Sequence, residues 1–346
     1  MIKRFCIPWL INMHTLFIGN AIVDLISHIN YDKLLHPDAK GKMKIITLTD
    51  ANKLQLQVSE QNLIIGGSAN NSACGLSIMD EEVCFVGKIG NDKFGEIYIK
   101  KLQDFNLADN GIVLDKNDNT GRSIIYVTPD GERTMNTYLG ASVQLTSNDI
   151  QDNMFKNLNG TFIEGYIYYL NDGKKIIENS FRKTKEQNGF TAISLSDVNC
   201  VEQFRSDFFD LIYENKINLL FGNKAEMMCL FEEEKEANLL KKMNAHSDNI
   251  DSLIMTKGNN GAIVINNNKI YKENSINVEN IVDTTGAGDL FVSGYIKAYL
   301  NRKKPNVCLK CANYLASQII TVDGGKLDIK KIKEYKEGLY SFLREI

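Results

Sequence analysis

Long apolar segments are missing from this sequence of 346 residues. No run approaches the roughly 20 consecutive apolar residues that cross a bilayer, so we expect no membrane-spanning helix and no membrane partner. Histidine is scarce, with four residues in all, and none is spaced from a cysteine pair as in a zinc site. Excess positive charge is missing too, because the formal net charge is -3. Nothing therefore indicates a nucleic-acid partner.

Two common nucleotide-binding motifs are also absent. No GxxxxGK[ST] stretch opens a helix, which argues against P-loop chemistry. No GxGxxG follows the first predicted strand with an acidic residue about 20 positions later, which argues against a Rossmann dehydrogenase. Internal repeats, low-complexity tracts and long linkers are absent as well. The length therefore suits one large α/β domain with a smaller appendage, or two domains.

The seven cysteines are scattered and odd in number. This favours a reducing, cytoplasmic setting over a disulfide framework. Cys308 and Cys311 form a CxxC pair, but no second pair accompanies it. The surrounding residues 307–320 have the pattern of a buried helix, so we interpret both as core thiols rather than a zinc or redox site.

The N-terminus has some features of a signal peptide. Lys3 and Arg4 precede a short apolar stretch, residues 5–11, but Pro8 interrupts it and no small-x-small cleavage site follows. We therefore expect residues 1–14 to be a disordered or loosely docked extension. The alternative is that Met1 is an upstream start codon and that Met13 is the functional start.

Short apolar runs alternate with helical patterns along most of the chain. The runs typical of buried strands are residues 15–20, 83–86, 162–165, 192–195, 219–222, 253–256 and 262–265. The helical patterns between them are residues 68–79, 94–105, 174–185, 225–231 and 236–243. This alternation predicts an α/β fold with a mostly parallel central sheet that is covered by helices on both faces. In such folds the functional site lies at the carboxyl ends of the strands.

Residues 22–58 and 121–138 break this alternation, because they are richer in polar and alternating β-like segments. The second stretch contains a Pro-Asp-Gly turn at residues 129–131, after the β-like residues 122–128. We expect both stretches to form a small second sheet, folded from two insertions, that lies over the strand ends as a lid. The rest of residues 15–346 would form the main body.

The most informative motif is DTTGAGD, residues 283–289, which follows a β-like run (276–282) and opens an apolar helix (290–300). A small-residue turn at a helix N-terminus presents backbone N–H groups to an anion. The carboxylate of Asp289 would repel that anion unless it acts on a hydroxyl that attacks a phosphate. Asp289 would then take the proton while the turn holds the developing charge. The alternative is a plain helix N-terminus with a dipole-compensating Asp289.

Two further stretches suit a small polar substrate. Residues 65–71, IGGSANN, contain two glycines and a Ser N-cap that open a helix. Glycine allows the change in φ that a closing lid needs. Residues 19–24, GNAIVD, end the first strand with Asp24, whose carboxylate can accept hydrogen bonds from two vicinal hydroxyls. An Asp that caps a turn is the alternative.

Two stretches suit a nucleotide. In NKAE, residues 223–226, an amide and a carboxylate share one face of a helical turn. A single carboxylate is compatible with Mg²⁺, which keeps several waters, although this spacing is frequent by chance. In TKGNNG, residues 256–261, a strand ends and glycines make a tight turn into a hairpin. A plain β-turn is the alternative.

DTTGAGD with the following LFVSGY (residues 290–295) resembles the C-terminal signature of the PfkB, or ribokinase-like, carbohydrate kinase family. The resemblance extends from residue 15 over nearly the whole chain. It implies a Rossmann-like core, a β-lid and ATP-dependent phosphorylation of an alcohol on a sugar or nucleoside. It also implies that Asp289 is the catalytic base, that Gly286, Ala287 and Gly288 form the anion hole, and that Asp283 helps to hold a monovalent cation such as K⁺.

The same resemblance implies the remaining site residues. The acceptor would contact Asn20, Asp24, Gly66, Gly67 and Asn71. ATP would contact Asn223, Thr256, Gly258, Gly261 and Asn313, with Mg²⁺ near Glu226 through water. We expect Arg133, beside the lid turn, either to swing onto the transferring phosphoryl group or to stay solvated.

The leading interpretation is a kinase for a small-molecule acceptor. Residues 127–141 and 19–24, with the insertion at 31–43, look most like the bacterial adenosine-kinase-like members of the family, which ranks adenosine or a related nucleoside first. Ribose, fructose and other furanoses stay open, as does a nucleotide-binding regulator that has lost turnover. The intact Asp289 and glycine turn argue against the regulator. An exposed lid edge leaves both a monomer and a homodimer open.

Overall fold

The computed structural model describes residues 13–30, 43–56, 63–129 and 133–345. Its strands are β1 His14–Ile18, β2 Ile22–His28, β3 Met43–Ile45, β4 Leu63–Gly66, β5 Val83–Gly90, β6 Ile112–Asp115, β7 Gly121–Val127, β8 Arg133–Tyr138, β9 Leu158–Glu164, β10 Phe190–Ser194, β11 Leu219–Asn223, β12 Ser252–Thr256, β13 Ala262–Asn266 and β14 Lys269–Glu273. Its α-helices are α1 Leu48–Gln55, α2 Ser68–Ser77, α3 Lys93–Leu102, α4 Gly173–Glu186, α5 Val198–Tyr213, α6 Lys224–Phe231, α7 Glu236–Ala245, α8 Ala287–Leu300, α9 Pro305–Ile319 and α10 Ile332–Leu343. Most of the predicted N-terminal extension, most of the insertion at 31–43 and the end of the turn at 129–131 lie outside the described residues.

The large sheet has the order β14-β13-β12-β11-β10-β9-β1-β5-β6. Strands β12 to β6 run parallel, and β13 and β14 form an antiparallel edge. The predicted mostly parallel α/β sheet is confirmed. The run at 262–265 belongs to an antiparallel strand, because the turn after β12 is too short for a crossover.

Helices cover both faces of this sheet, as β1 illustrates. Phe17 packs into a core with α2, α8, α9 and α10, whereas Leu16 and Ile18 pack into a second core with α4, α5, α6 and α7. This alternation follows from the two-residue period of a strand. Cys308 and Cys311 are buried, unbonded thiols in the first core, as predicted. No helix in the described part of the chain has the length and apolarity to cross a membrane.

A second, smaller sheet has the order β3-β8-β7-β2-β4, which confirms the predicted second sheet. Its strand β4 lies beyond the predicted limit at residue 58. One face packs against α1, where Ala51 and Leu54 meet Ile124 and Tyr126. The opposite face carries a second small apolar cluster around Ile26 and Ile125.

The predicted β-like run at residues 276–282 is wrong, because these residues form no strand. Ile281 and Val282 are 61% and 56% exposed. The Val282 N–H donates to the Ile320 carbonyl at 2.8 Å rather than to a neighbouring strand. The hairpin of β13 and β14 has already formed the edge of the sheet, so the chain crosses over to α9 without pairing.

Candidate active site

Four strands of the large sheet deliver polar residues to one edge. Asn20 follows β1, Glu164 ends β9, Asn223 ends β11 and Thr256 ends β12. The carboxyl ends of parallel strands meet at the same edge of a sheet. Segments that are far apart in the chain therefore converge there, as the sequence predicts for this fold class.

Asp289 lies in the first turn of α8, and two side chains from α2 orient its carboxylate. Ser68 Oγ donates to Asp289 Oδ1 at 2.6 Å, and Asn71 Nδ2 donates to Asp289 Oδ2 at 2.8 Å. Desolvation raises the pKa of Asp289, while these two donors and Lys326 oppose the rise. Each oxygen keeps a second lone pair for a hydroxyl, so the group is suited to accept a proton.

The glycine turn before α8 has a conformation that only glycine adopts readily. Gly286 is the N-cap residue with φ of 77°, a left-handed value that favours glycine. A Cβ at this position would lie 2.9 Å from the Gly325 Cα. At Gly288, by contrast, a Cβ would meet no atom within 4 Å. Gly288 therefore faces open space, while the Ala287 N–H donates to the Thr284 carbonyl at 3.2 Å.

Two adjoining cavities contain the residues that the sequence assigns to ATP. The first measures about 430 Å³, and its walls include Thr256, Gly258, Gly261, Asn313, Ala287, Gly288 and the apolar Ile276, Val278, Ile281 and Phe291. The second measures about 470 Å³ and shares Thr256 and Gly258 with the first. Asn223 lies in the wall of the second. The apolar walls suit a base, and the glycine turn borders the same space.

Lys224 and Lys257 also line the second cavity and were not predicted. Their ammonium groups contact opposite oxygens of Glu236, at 2.8 Å and 2.5 Å. The sequence feature that could have identified them is their position inside the NKAE and TKGNNG motifs. Glu236 lines the same cavity, so the three side chains together leave it a net positive charge that suits phosphate oxygens.

Asp24 lies on β2 and closely contacts Gly66. A Cβ at Gly66 would overlap the Asp24 carboxylate, and a Cβ at Gly67 would overlap the Asn20 carbonyl. Gly67 also has φ of 97°. Burial raises the pKa of Asp24 from 3.8 to about 7, although the charges of Lys326 and Arg133 oppose it. Both positions therefore require glycine, because any larger side chain would collide with a neighbouring residue.

Glu164 is a buried acid at the end of β9 that sequence reasoning missed. Its Oε1 accepts from the Asn20 N–H at 2.8 Å, and its Oε2 accepts from the Ala69 N–H at 2.7 Å. Burial raises the pKa of Glu164 to about 7. The carboxyl group therefore ties the loop after β1 to the first turn of α2. The only available signal was an acidic residue at the end of an apolar run.

Asn223 and Glu226 form a capping box at the start of α6. The Asn223 N–H and Nδ2 donate to the two Glu226 oxygens at 2.8 Å and 2.6 Å. Burial raises the pKa of Glu226 to about 7. Across the residues that the structure covers, no group of three or more His, Cys, Asp and Glu could hold a metal ion. A Mg²⁺ that is held through water needs no such group, so the predicted role of Glu226 stays a prediction.

Asp283 is buried and surrounded by donors. Thr285 N–H donates to Asp283 Oδ1 at 2.9 Å, and Gly324 N–H donates to Asp283 Oδ2 at 2.7 Å. The Arg133 guanidinium pairs with the same carboxylate and with Asp323 Oδ1, the latter at 2.9 Å. Since a guanidinium already neutralises Asp283, this residue does not fit a K⁺ ligand. Arg133 is not solvated in this structure, since only 11% of its side chain is exposed. Its contact with the transferring phosphoryl group stays a prediction.

Lys326, another residue that sequence reasoning missed, is buried beside α2. Its Nζ donates to Asn70 Oδ1 and Asn71 Oδ1, both at 2.7 Å. Gly325 makes this approach feasible, because a Cβ there would lie 2.8 Å from Asn71 Nδ2. The segment Asp323-Gly324-Gly325-Lys326, which we call the DGGK loop, thus contacts the second sheet, the turn before α8 and α2.

An acid beside a glycine turn that borders a cavity of about 430 Å³ is the arrangement expected of a ribokinase-like phosphotransferase that acts on hydroxyl groups. Residues 39–332 match the sequence profile described as "pfkB family carbohydrate kinase". The chain therefore belongs to the pfkB family of carbohydrate kinases, which use ATP.

Adenosine kinases and ribokinases are among its relatives. The solved structure of adenosine kinase from Sinorhizobium meliloti superimposes with a TM-score of 0.85 at 29% identity, covering 94% of this chain and 99% of that chain. An adenosine kinase of Dictyostelium discoideum is 24% identical over 93% of this chain and 98% of its own length. A ribokinase of the same organism is 24% identical over 78% of this chain and 87% of its own length.

Proposed function

We propose that this protein transfers the γ-phosphoryl group of ATP to a primary hydroxyl of a nucleoside, with adenosine as the first choice. The observation that carries the proposal is the placement of Asp289. Its carboxylate is oriented by Ser68 and Asn71 directly beside the glycine turn that borders the cavity. A base and an anion site that adjoin in this way are what an alcohol needs to attack a phosphate.

In the proposed reaction the base of ATP occupies the apolar cavity, and its phosphates extend toward the turn at residues 286–288. Asp289 takes the proton of the acceptor hydroxyl. The acceptor oxygen then bonds to the γ-phosphorus, the bond from that phosphorus to the β,γ-bridging oxygen breaks, and ADP leaves. Backbone N–H groups at the start of α8 stabilise the charge on the transferred group. Mg²⁺ arrives with ATP, as part of the substrate.

The acceptor is proposed to lie between the two sheets, with its hydroxyls on Asp24, Asn20 and Asn71. The second sheet would act as a lid that excludes water during transfer. The preference for a nucleoside rests on the likeness to the Sinorhizobium adenosine kinase. The ribokinase relative keeps a furanose sugar as the second candidate. The oligomeric state, monomer or homodimer, depends on whether the exposed edge strand β3 pairs with a second copy.

The test is acceptor-dependent release of ADP from MgATP with adenosine, other nucleosides, ribose and fructose, followed by mass analysis of the product. We expect the highest kcat/KM with adenosine and a phosphate ester at its primary hydroxyl. The matched control is 5′-deoxyadenosine, which lacks that hydroxyl and should yield no product. If no acceptor in the panel stimulates ADP release, the proposal of a nucleoside or furanose kinase is wrong.

A further inference from the structure

The side chain of Lys326 lies in a place where a positive charge is costly. The residue is only 7% exposed, yet its Nζ makes two hydrogen bonds to neutral amide oxygens of Asn70 and Asn71. Its ammonium lies 5.7 Å from the centre of the Phe105 ring. A buried ammonium loses far more hydration energy than two amide contacts return. Its presence calls for a further partner of opposite charge.

Two carboxylates of the proposed site supply that opposite charge. Burial lowers the pKa of Lys326, and Cys74 opposes this most, followed by the negative charges of Asp289 and Asp24. Conversely, the Lys326 charge lowers the pKa of both Asp289 and Asp24 against the effect of their burial. Further charged groups share a cavity of about 220 Å³ with Lys326, namely Lys101, Asp104, Asp323 and Asp328.

Lys326 also determines how Asn71 presents its amide. The ammonium is only a donor, so the Asn71 atom that faces it must be the oxygen. The Asn71 nitrogen then faces Asp289 and donates to Oδ2 at 2.8 Å. A flipped amide would place its NH₂ group against the ammonium and its oxygen against the carboxylate, and both contacts would be repulsive. With Lys326 in place, Asn71 can therefore only donate to Asp289, which favours the ionised carboxylate.

We infer that Lys326 is a positioning residue for phosphoryl transfer: its ammonium orients Asn71 and, through Asn71 and its own charge, keeps Asp289 ionised and aimed at the acceptor hydroxyl. The inference rests on the proposed function of Asp289. A purely structural role, in which Lys326 only ties the DGGK loop to α2, makes a different prediction. Loss of a structural tie would lower stability without changing the titration of Asp289.

The test compares Lys326→Met with Lys297→Met. Lys297 is a matched control, because it is a buried lysine (5% exposed) in α8 whose Nζ lies 2.6 Å from Glu81 and contacts nothing in the site. We expect Lys326→Met to lower kcat about 100-fold at pH 6, in line with loss of a correctly placed base. The loss should shrink as the pH rises, because the unassisted Asp289 ionises only at higher pH. Lys297→Met should keep the wild-type kcat and pH profile.

A second variant separates charge from orientation. The glutamine in Lys326→Gln can still donate to the Asn71 oxygen but carries no charge. The acid limb of its kcat–pH profile should therefore shift to higher pH by less than that of Lys326→Met. If circular dichroism shows that Lys326→Met does not fold, Lys326→Gln replaces it in the comparison with Lys297→Met. Equal kcat loss at every pH in both variants would overturn the inference in favour of a structural tie.

A readout without turnover keeps the two proposals distinguishable. The carboxyl ¹³C signal of Asp289, assigned with Asp289→Asn, is titrated in the wild type and in both methionine variants. We expect an upward shift of its midpoint in Lys326→Met alone. An unchanged midpoint overturns the inference even if the wild type is an active kinase. If no acceptor stimulates ADP release but the midpoint of the Asp289 titration shifts as expected, the kinase proposal is overturned instead.

Discussion

Arg133 and Asp283 form an ion pair that connects the first residue of strand β8 in the second sheet to the first residue of the DTTGAGD motif. The same guanidinium holds Asp323 in the DGGK loop at 2.9 Å. A strand of the proposed lid is thus linked by charge to the turn that opens α8. The pair also supplies, from within the chain, the positive charge that Asp283 requires.

The first prediction concerns monovalent cations. We expect the rate of phosphoryl transfer to be the same within about twofold in K⁺ and in tetramethylammonium buffers, because Arg133 already neutralises Asp283. Arg133→Met should leave Asp283 buried without its partner and lower kcat/KM about tenfold or more. Added K⁺ should restore part of that loss.

The control for this experiment is Arg182→Met, which removes an exposed pair with Glu186 on α4. It should change neither kcat/KM nor its response to K⁺, since exposed pairs contribute little. Strong activation of the wild type by K⁺ would contradict the account of the Arg133–Asp283 pair.

The second prediction concerns Gly288. A Cβ there meets no protein atom within 4 Å and points into the space that we assign to ATP phosphates. Gly288→Ala should therefore fold normally, with a Tm equal to or above that of the wild type, because alanine favours a helix by up to about 1 kcal/mol. Its KM for ATP should rise and its kcat fall. Full activity in a folded Gly288→Ala protein would place the phosphates elsewhere.

Gly286→Ala is the informative comparison for that experiment. Gly286 needs a left-handed φ, and a Cβ would press on Gly325. This variant should lose stability as well as activity, by about 1 kcal/mol or more. Thermal unfolding of the two proteins side by side distinguishes a steric block of ATP from damage to the turn.

The third prediction concerns pH. Burial raises the pKa of Asp24 from 3.8 to about 7 and also raises that of Asp289. Both groups act as carboxylates, so kcat/KM for the acceptor should be highest above pH 7 and fall as the pH drops below it. Because the proposed reaction needs both acids ionised, the limb should approach a slope of two at low pH, and its apparent pKa values belong to the pair.

Asp24→Asn isolates the contribution of Asp289 to this profile. The acid limb should then have a slope of one, and KM for the acceptor should rise more than KM for ATP. An acid limb near pH 4 in the wild type, or a limb that Asp24→Asn leaves unchanged, would show that these carboxyls do not govern activity.

Local pattern was sufficient to predict the main elements. The buried strands ending near Asn20, Asn223 and Thr256 are recognisable because their apolar residues lie between turn signals, and the glycine turn at residue 286 is recognisable from composition. The run at 276–282 was wrongly predicted to be β-like. Its apolar side chains Ile276 and Ile281 line a cavity, and the run does not pair with a strand. Hydrophobicity alone does not distinguish these two uses.

Contacts between distant segments could not be predicted. Glu164 meets the Ala69 N–H across 95 positions, and Lys326 meets Asn70 across 256. Neither residue belongs to a recognisable motif, and each acquires its role only when the strand ends converge. The NKAE motif shows the opposite case, because its Asn and Glu satisfy each other within a single helical turn.

Asp289→Asn tests the central claim most directly. The amide keeps the shape of the carboxylate but cannot accept the proton of the acceptor hydroxyl. Single-turnover transfer from ATP to the acceptor should fall about 10²- to 10⁴-fold, as expected for loss of a general base, while calorimetry should show ATP binding within about threefold of the wild type. A single-turnover rate close to that of the wild type would contradict the assignment of Asp289 as the base.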